Sequence, residues 1–160
     1  MNESVKLDPN NEVKKPHHYP GYRYAEILLN YAEALNEYKG PDYVDAVFTI
    51  SAREALNQVR KAALMPDVVA ADQNEFREKV RNERRVELAF EDHRFWDIRR
   101  WKIGNVVENI YGVSITKSYG EVTYKKKKIQ TRVWDDKMYF YPIPQKEVFI
   151  NPNLTQNPGW

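Results

Sequence analysis

From Tyr22 onward, apolar side chains recur at three- and four-residue steps: Tyr24, Ile27, Leu28, Tyr31, Ala34 and Leu35. That spacing lines them along one face of a helix. Gly40 followed by Pro41 supplies the stop, so the pattern predicts a helix over about 22–40. A second stripe follows at once, through Val44, Val47, Phe48, Ala52, Ala55, Leu56 and Val59, and Pro66 closes it. Two amphipathic helices joined by a tight Gly-Pro turn pack antiparallel as a hairpin. Ala32, Ala34, Ala52 and Ala55 allow their backbones a close approach.

Residues 67–74 are polar and end at Asn74, an expected N-cap for a third helix over about 75–91. One face of that helix carries Phe76, Val80, Glu83, Glu87 and Phe90, so two carboxylates occupy positions that the spacing assigns to the core. A short helix from about Arg94 to Ile103 is expected next, ending at Gly104. Beyond it, residues 106–115 and 121–129 are rich in Val, Ile, Thr and Tyr, with turn chemistry at Ser118 and Gly120, and predict a small irregular β element. Pro142 and Pro144 end any strand begun at Met138 to Tyr141. Residues 1–21 hold turn and linker chemistry and are expected to form a poorly ordered lead-in to one domain over 22–160. The fold class expected is mainly α, a helical hairpin plus further helices, with the β element in the C-terminal third.

Composition narrows the chemistry. The chain has no cysteine, which excludes disulfides and thiolate metal sites. A net charge of +2 is too small to argue for nucleic acid, and the run Lys125 to Lys128 has no aromatic-interleaved basic motif around it. Such a run is ordinarily a solvated strand edge. No apolar stretch approaches the ~20 residues of a membrane span. The N-terminus lacks both the apolar core of a signal peptide and a cysteine for lipidation.

The densest cluster of chemistry-bearing residues lies between Arg81 and Trp101. Glu83 and Glu87, one turn apart, with His93 and Asp97 beyond them, are types that bind metals or transfer protons. Arginines outnumber the acids on this stretch, however, and a guanidinium fork is the natural partner of a carboxylate away from water. A structural salt-bridge network through Glu83, Arg84, Arg85, Glu87, Arg94 and Arg99 is therefore expected, with no catalytic residue and no metal. His17 and His18 stand side by side without acidic neighbours and are a weak metal signal. There is no nucleophile elbow and no phosphate-cradling glycine loop, so no cofactor is expected. Eleven tyrosines and four tryptophans remain. Aromatic faces stack on the C–H faces of sugars, which makes Tyr119, Tyr124 and Trp134, in the irregular part, candidate ligand contacts.

Tyr31-Ala32-Glu33-Ala34-Leu35 is reminiscent of the first helix of a tetratricopeptide repeat. Three stretches in order point further: Arg23 to Glu37 with Ala55 to Arg60; Glu83 to Trp101; and Tyr141-Pro142-Ile143-Pro144-Gln145 with the terminal Asn157-Pro158-Gly159-Trp160. Together they resemble the C-terminal region of the SusD/RagB proteins of Bacteroidetes-type bacteria over residues 22–160. The resemblance implies a largely helical fold with tetratricopeptide-like hairpins, in a lipid-anchored protein of the outer-membrane surface. Such a protein captures glycans or related nutrients for a SusC-like TonB-dependent transporter and does no chemistry on them. Family members are several times longer and begin with a signal peptide and a lipidated cysteine, so the expectation is of a chain lacking an N-terminal part. Membrane attachment is then expected only through an anchor outside it. The resemblance transfers no binding residue and names no particular glycan. The alternative is a tetratricopeptide-like interaction scaffold without sugar contact; an enzyme built on Glu83, Glu87 and His93 ranks third.

Overall fold

A computed structural model describes residues 21–160, together with the backbone of two short strands, β1 (Lys6–Asp8) and β2 (Asn11–Val13). These two pair antiparallel, Lys6 opposite Val13. The remainder of the expected lead-in, including His17 and His18, lies outside the described residues. The chain divides into two compact units, residues 1–87 and 88–160.

In the first unit, α1 (Tyr24–Lys39) packs on both α2 (Ala52–Ala62) and α3 (Gln73–Glu87). Leu28, Leu29, Ala32 and Leu35 of α1 are buried, as are Ala52, Ala55, Leu56 and Val59 of α2 and Phe76 and Val80 of α3. Gly40 ends α1 at φ +95, its N–H donating to the Asn36 carbonyl at 2.9 Å. The buried face of α1 differs from the expected stripe. Leu28 and Leu35 point inward, while Tyr24, Ile27 and Ala34 face water. Apolar residues cover more than half the circumference of this helix, so spacing alone does not say which edge its neighbours take.

The second helix also starts later than its apolar spacing suggested. Residues 41–51 form a loop, held by the Asp45 carboxylate, which accepts the Val47 and Phe48 N–H groups at 2.8 and 2.7 Å. Ser51 then opens α2 with a capping box: the Glu54 N–H donates to its hydroxyl, and its own N–H donates to the Glu54 carboxylate at 2.7 Å. Asn74 is likewise not a cap. Asp72 takes that place, accepting the Glu75 N–H at 2.8 Å, and Asn74 lies within α3. α3 ends at Glu87, short of the expected Glu91, and Phe90 is fully exposed beyond it in a left-handed conformation (φ +66).

The second unit holds α4 (His93–Arg100), a long antiparallel ribbon of β3 (Asn109–Ser118) and β4 (Glu121–Thr131), and α5 (Gln145–Ile150). Tyr119 and Gly120 turn the ribbon with φ +48 and +90, the positive pair that a two-residue hairpin requires. The β element is thus a regular hairpin, interrupted only by a bulge between Ile110 and Tyr111. α5 was not foreseen; Pro144 opens it, where a missing N–H costs nothing. The chain's end folds back: the Gln156 amide pairs with both backbone groups of Ile143, and the Trp160 indole N–H donates to the Lys137 and Phe140 carbonyls at 3.1 and 3.2 Å. The architecture is mainly α with a small sheet in its C-terminal third, as the sequence led one to expect, and the β1–β2 pair is an addition to it.

Candidate ligand-binding surfaces

The carboxylates that periodicity assigned to the core of α3 are both engaged. Glu83, nearly buried, accepts from the Arg60 guanidinium of α2 at 2.5 Å. Glu87 accepts from Arg23 at 2.8 Å, and the other arm of the same guanidinium donates to the Glu87 carbonyl. Arg84 is buried and donates to the Asn30 amide oxygen at 2.6 Å, and Arg85 donates to Asn82 at 2.9 Å. Arginines on the same stretch were the expected partners of these acids. The partners found for Glu83 and Glu87 come instead from 23 and 64 residues away, which no local spacing discloses.

In the second unit, buried Asp97 accepts from Arg100 at 2.8 Å. Arg94 and His93 are also engaged. Arg99, expected in the ionic network, is used otherwise: it lies 3.5 Å from the Phe95 ring centroid and donates to the Phe95 carbonyl at 2.9 Å. Elsewhere, Arg53 forks onto Asp42 at 2.6 and 2.9 Å, and its hydrogen bonds hold that carboxyl below the ordinary 3.8. Arg77 does the same to Glu37, held below 4.5. Carboxylates so occupied pin elements together. Among the described residues no group of three or more metal-ligating side chains converges.

A cavity of about 620 Å³ lies beside α1 and α2, with Leu28, Val59 and Ala62 in its wall and the Arg23–Glu87 pair at its rim. A smaller groove of about 200 Å³ runs between Tyr31, Ala34, Tyr38 and Phe48.

The three aromatic candidates fall in different surroundings. Tyr119 is fully exposed at the tip of the ribbon, and Tyr124 stands exposed on β4, opposite Ile115. Trp134 is half-buried, edge-on to Tyr139 at 5.1 Å, and closes directly over Gly104. The structure does not bring the three onto one platform. It does bring Tyr124 onto the same ribbon face as Tyr111, which the sequence reading did not single out; the alternation of β3 was the available signal.

The SusD family model matches residues 3–160. Over 157 residues the chain is 31% identical to SusD-like protein P2 of Formosa agariphila, covering 96% of this chain and 28% of that protein. SusD-like protein P38 of the same organism is 38% identical over 146 residues, 85% of this chain and 23% of that one. Among solved structures, a SusD-like protein of Bacteroides fragilis superposes with a TM-score of 0.72 at 38% identity, over 89% of this chain and 26% of that one. A second from B. fragilis, described as a SusD-like carbohydrate-binding protein, gives a TM-score of 0.60 at 34% identity, over 83% and 28%. The chain therefore spans about a quarter of the length of these relatives. It belongs to the SusD family, matching the C-terminal region that its motifs resemble.

Proposed function

We propose that this SusD-family chain is part of a glycan-binding protein of the bacterial outer surface, which hands its ligand to a SusC-like transporter and does no chemistry on it. The observation that carries the reading is family membership across nearly the whole chain, together with likeness to a relative described as carbohydrate-binding. The geometry agrees in kind. The carboxylates best placed for catalysis are bound to guanidinium groups, while tyrosines stand exposed on the β3–β4 ribbon. The helical unit serves as scaffold, and Tyr119 and Tyr124 are the candidate sugar contacts. Trp134 enters the proposal as support for the fold around Gly104. Outer-membrane location and the transporter partnership follow the family.

Affinity electrophoresis of the chain through gels holding one polysaccharide each tests the reading. Retardation by one class, weakened in Tyr124→Ala, is the expected result. Unchanged mobility in every gel would sink it for these 160 residues.

A second reading, an interaction scaffold without sugar contact, is favoured by one observation. α1 presents Tyr24, Ile27 and Tyr38 to solvent along one side, where a partner surface would bury them.

A further inference from the structure

The ribbon β3–β4 carries five lysines and one acid, Glu121, an excess of positive charge larger than the +2 of the whole chain. Pairing divides those charges between two faces. One face holds Tyr111 opposite Lys128, Val113 opposite Lys126, Ile115 opposite Tyr124 and Lys117 opposite Val122. The other holds Lys125 and Lys127 among Ser114, Thr116 and Thr123. Among the described residues, none of the five lysines forms an ion pair. On the first face the Lys126 ammonium sits 4.2 Å from the centroid of the Tyr111 ring. Tyr111 is half exposed and Tyr124 about two-thirds exposed.

Lysines at a strand edge discourage aggregation, and that accounts for charge as such. It does not account for two exposed tyrosines interleaved with three ammonium groups that make no ion pair, all on a single face. Lys126 and Lys128 project from one strand two residues apart, with Cα atoms about 7 Å from each other, so their like charges are held on the same face. A counter-charge that bridges them relieves the repulsion, and an adjacent ring offers a flat apolar surface for what carries that charge. A second copy of this chain is a poor occupant, since it would set lysine against lysine.

We infer that the face formed by Tyr111, Lys117, Tyr124, Lys126 and Lys128 binds an acidic polysaccharide, its carboxylate or sulfate groups on the lysines and a sugar ring on a tyrosine. This rests on the glycan-binding reading and narrows it from glycans at large to anionic ones.

Affinity electrophoresis of the full chain compares polygalacturonate and a sulfated galactan with neutral pullulan, at low and at physiological salt, with circular dichroism to confirm that each variant is folded. The acidic polymers should retard the chain, less so as salt rises. Lys126→Ala/Lys128→Ala and, separately, Tyr111→Ala should each weaken retardation by about tenfold. Lys125→Ala/Lys127→Ala, of equal charge change on the opposite face, should leave it nearly unaltered. Equal losses from both faces would mean general attraction to lysine and would overturn the inference, as would full retention in the Tyr111 and Lys126/Lys128 variants. Retardation by pullulan alone would overturn it and leave the glycan reading standing. Retardation by none of the polymers, with DNA or an acidic protein bound instead, would overturn both.

Discussion

The Arg60 guanidinium meets the Glu83 carboxylate at 2.5 Å where α2 faces α3, both side chains being largely shielded from water. Arg60 also donates through Nε to the Pro66 carbonyl at 2.7 Å, so one side chain ties α3 to α2 and to the segment leaving it. Charges held there are tolerable only as a pair.

Removing one partner strands the other. Arg60→Ala is expected to lower stability by roughly 3 kcal/mol, the cost of a shielded charge without its counter-ion. Replacing both with apolar residues, as in Arg60→Met/Glu83→Leu, should cost clearly less than the single change. Chemical denaturation of the three proteins reads this directly. A double variant no more stable than Arg60→Ala would show that the pair is not what holds the site.

Gly104 is a position where a single methyl group should be costly. A Cβ there would fall 1.7 Å from Trp134 Cε2, while the Gly104 N–H donates to the Tyr139 hydroxyl at 3.0 Å. The whole indole must move to admit it. Gly104→Ala is therefore expected to destabilise the second unit by about 2–3 kcal/mol, as overpacking does. Trp134→Ala leaves a gap, and in that background Gly104→Ala should cost little. A thermodynamic cycle in which the two changes simply add would show that they do not meet.

Much of this fold was written in local spacing. α1, α3, α4 and the β3–β4 ribbon follow from periodicity, β-branched content and the turn chemistry at Ser118 and Gly120. The start of α2 was misplaced because Val44, Val47 and Phe48 keep a helical step while Asp45 bonds the loop backbone; the capping pair Ser51 and Glu54 was present and outweighed by that stripe. Pro142 and Pro144 read as stops in the sequence, although Pro144 opens a helix as well as it ends a strand. What lay beyond reach was long-range: Arg60 for Glu83, Arg23 for Glu87, and the covering of Gly104 by Trp134 all join residues far apart in the chain. Residue type alone marks Tyr119, Tyr124 and Trp134, and only pairing register shows that Tyr124 shares a face with Tyr111 and three lysines.

Acid should weaken the first unit. Hydrogen bonds from Arg77 hold the Glu37 carboxyl below 4.5, and those from Arg53 hold Asp42 below 3.8. Backbone N–H groups lower Asp45, and the Ser51 cap lowers Glu54. In each case the folded pKa lies below the unfolded one, so the unfolded chain takes up protons first as pH falls. The stabilisation is complete above the ordinary carboxylate range and is lost progressively below about pH 4.5. The thermal midpoint should hold steady from neutral pH to about 5 and then drop. Arg77→Ala/Arg53→Ala should lower the neutral-pH midpoint and flatten the drop. An acid dependence as steep as that of the parent would place the responsible carboxylates elsewhere.

The outward side of α1 makes a last prediction. Tyr24, Ile27, Tyr31, Ala34 and Tyr38 fall at successive helical steps, and four of the five are exposed, with Ile27 at 53% and Tyr38 at 65%. Beside them run the 200 Å³ groove at Phe48 and the larger cavity at Val59 and Ala62. An apolar strip of this length on a charged surface favours any contact that removes it from water, at about 25 cal/mol per Å² buried. In a solution of the isolated chain, the nearest such surface is the same strip on another copy. Light scattering is expected to show concentration-dependent self-association, and Ile27→Glu/Tyr38→Glu to abolish it without lowering helix content, since neither side chain contributes to the core. A monodisperse monomer at high concentration would mean that the strip is too interrupted by Glu33 and Asn30 to bind its own kind. In that event the scaffold reading loses the one observation that favours it, and the exposed tyrosines of the ribbon become the stronger claim to a partner.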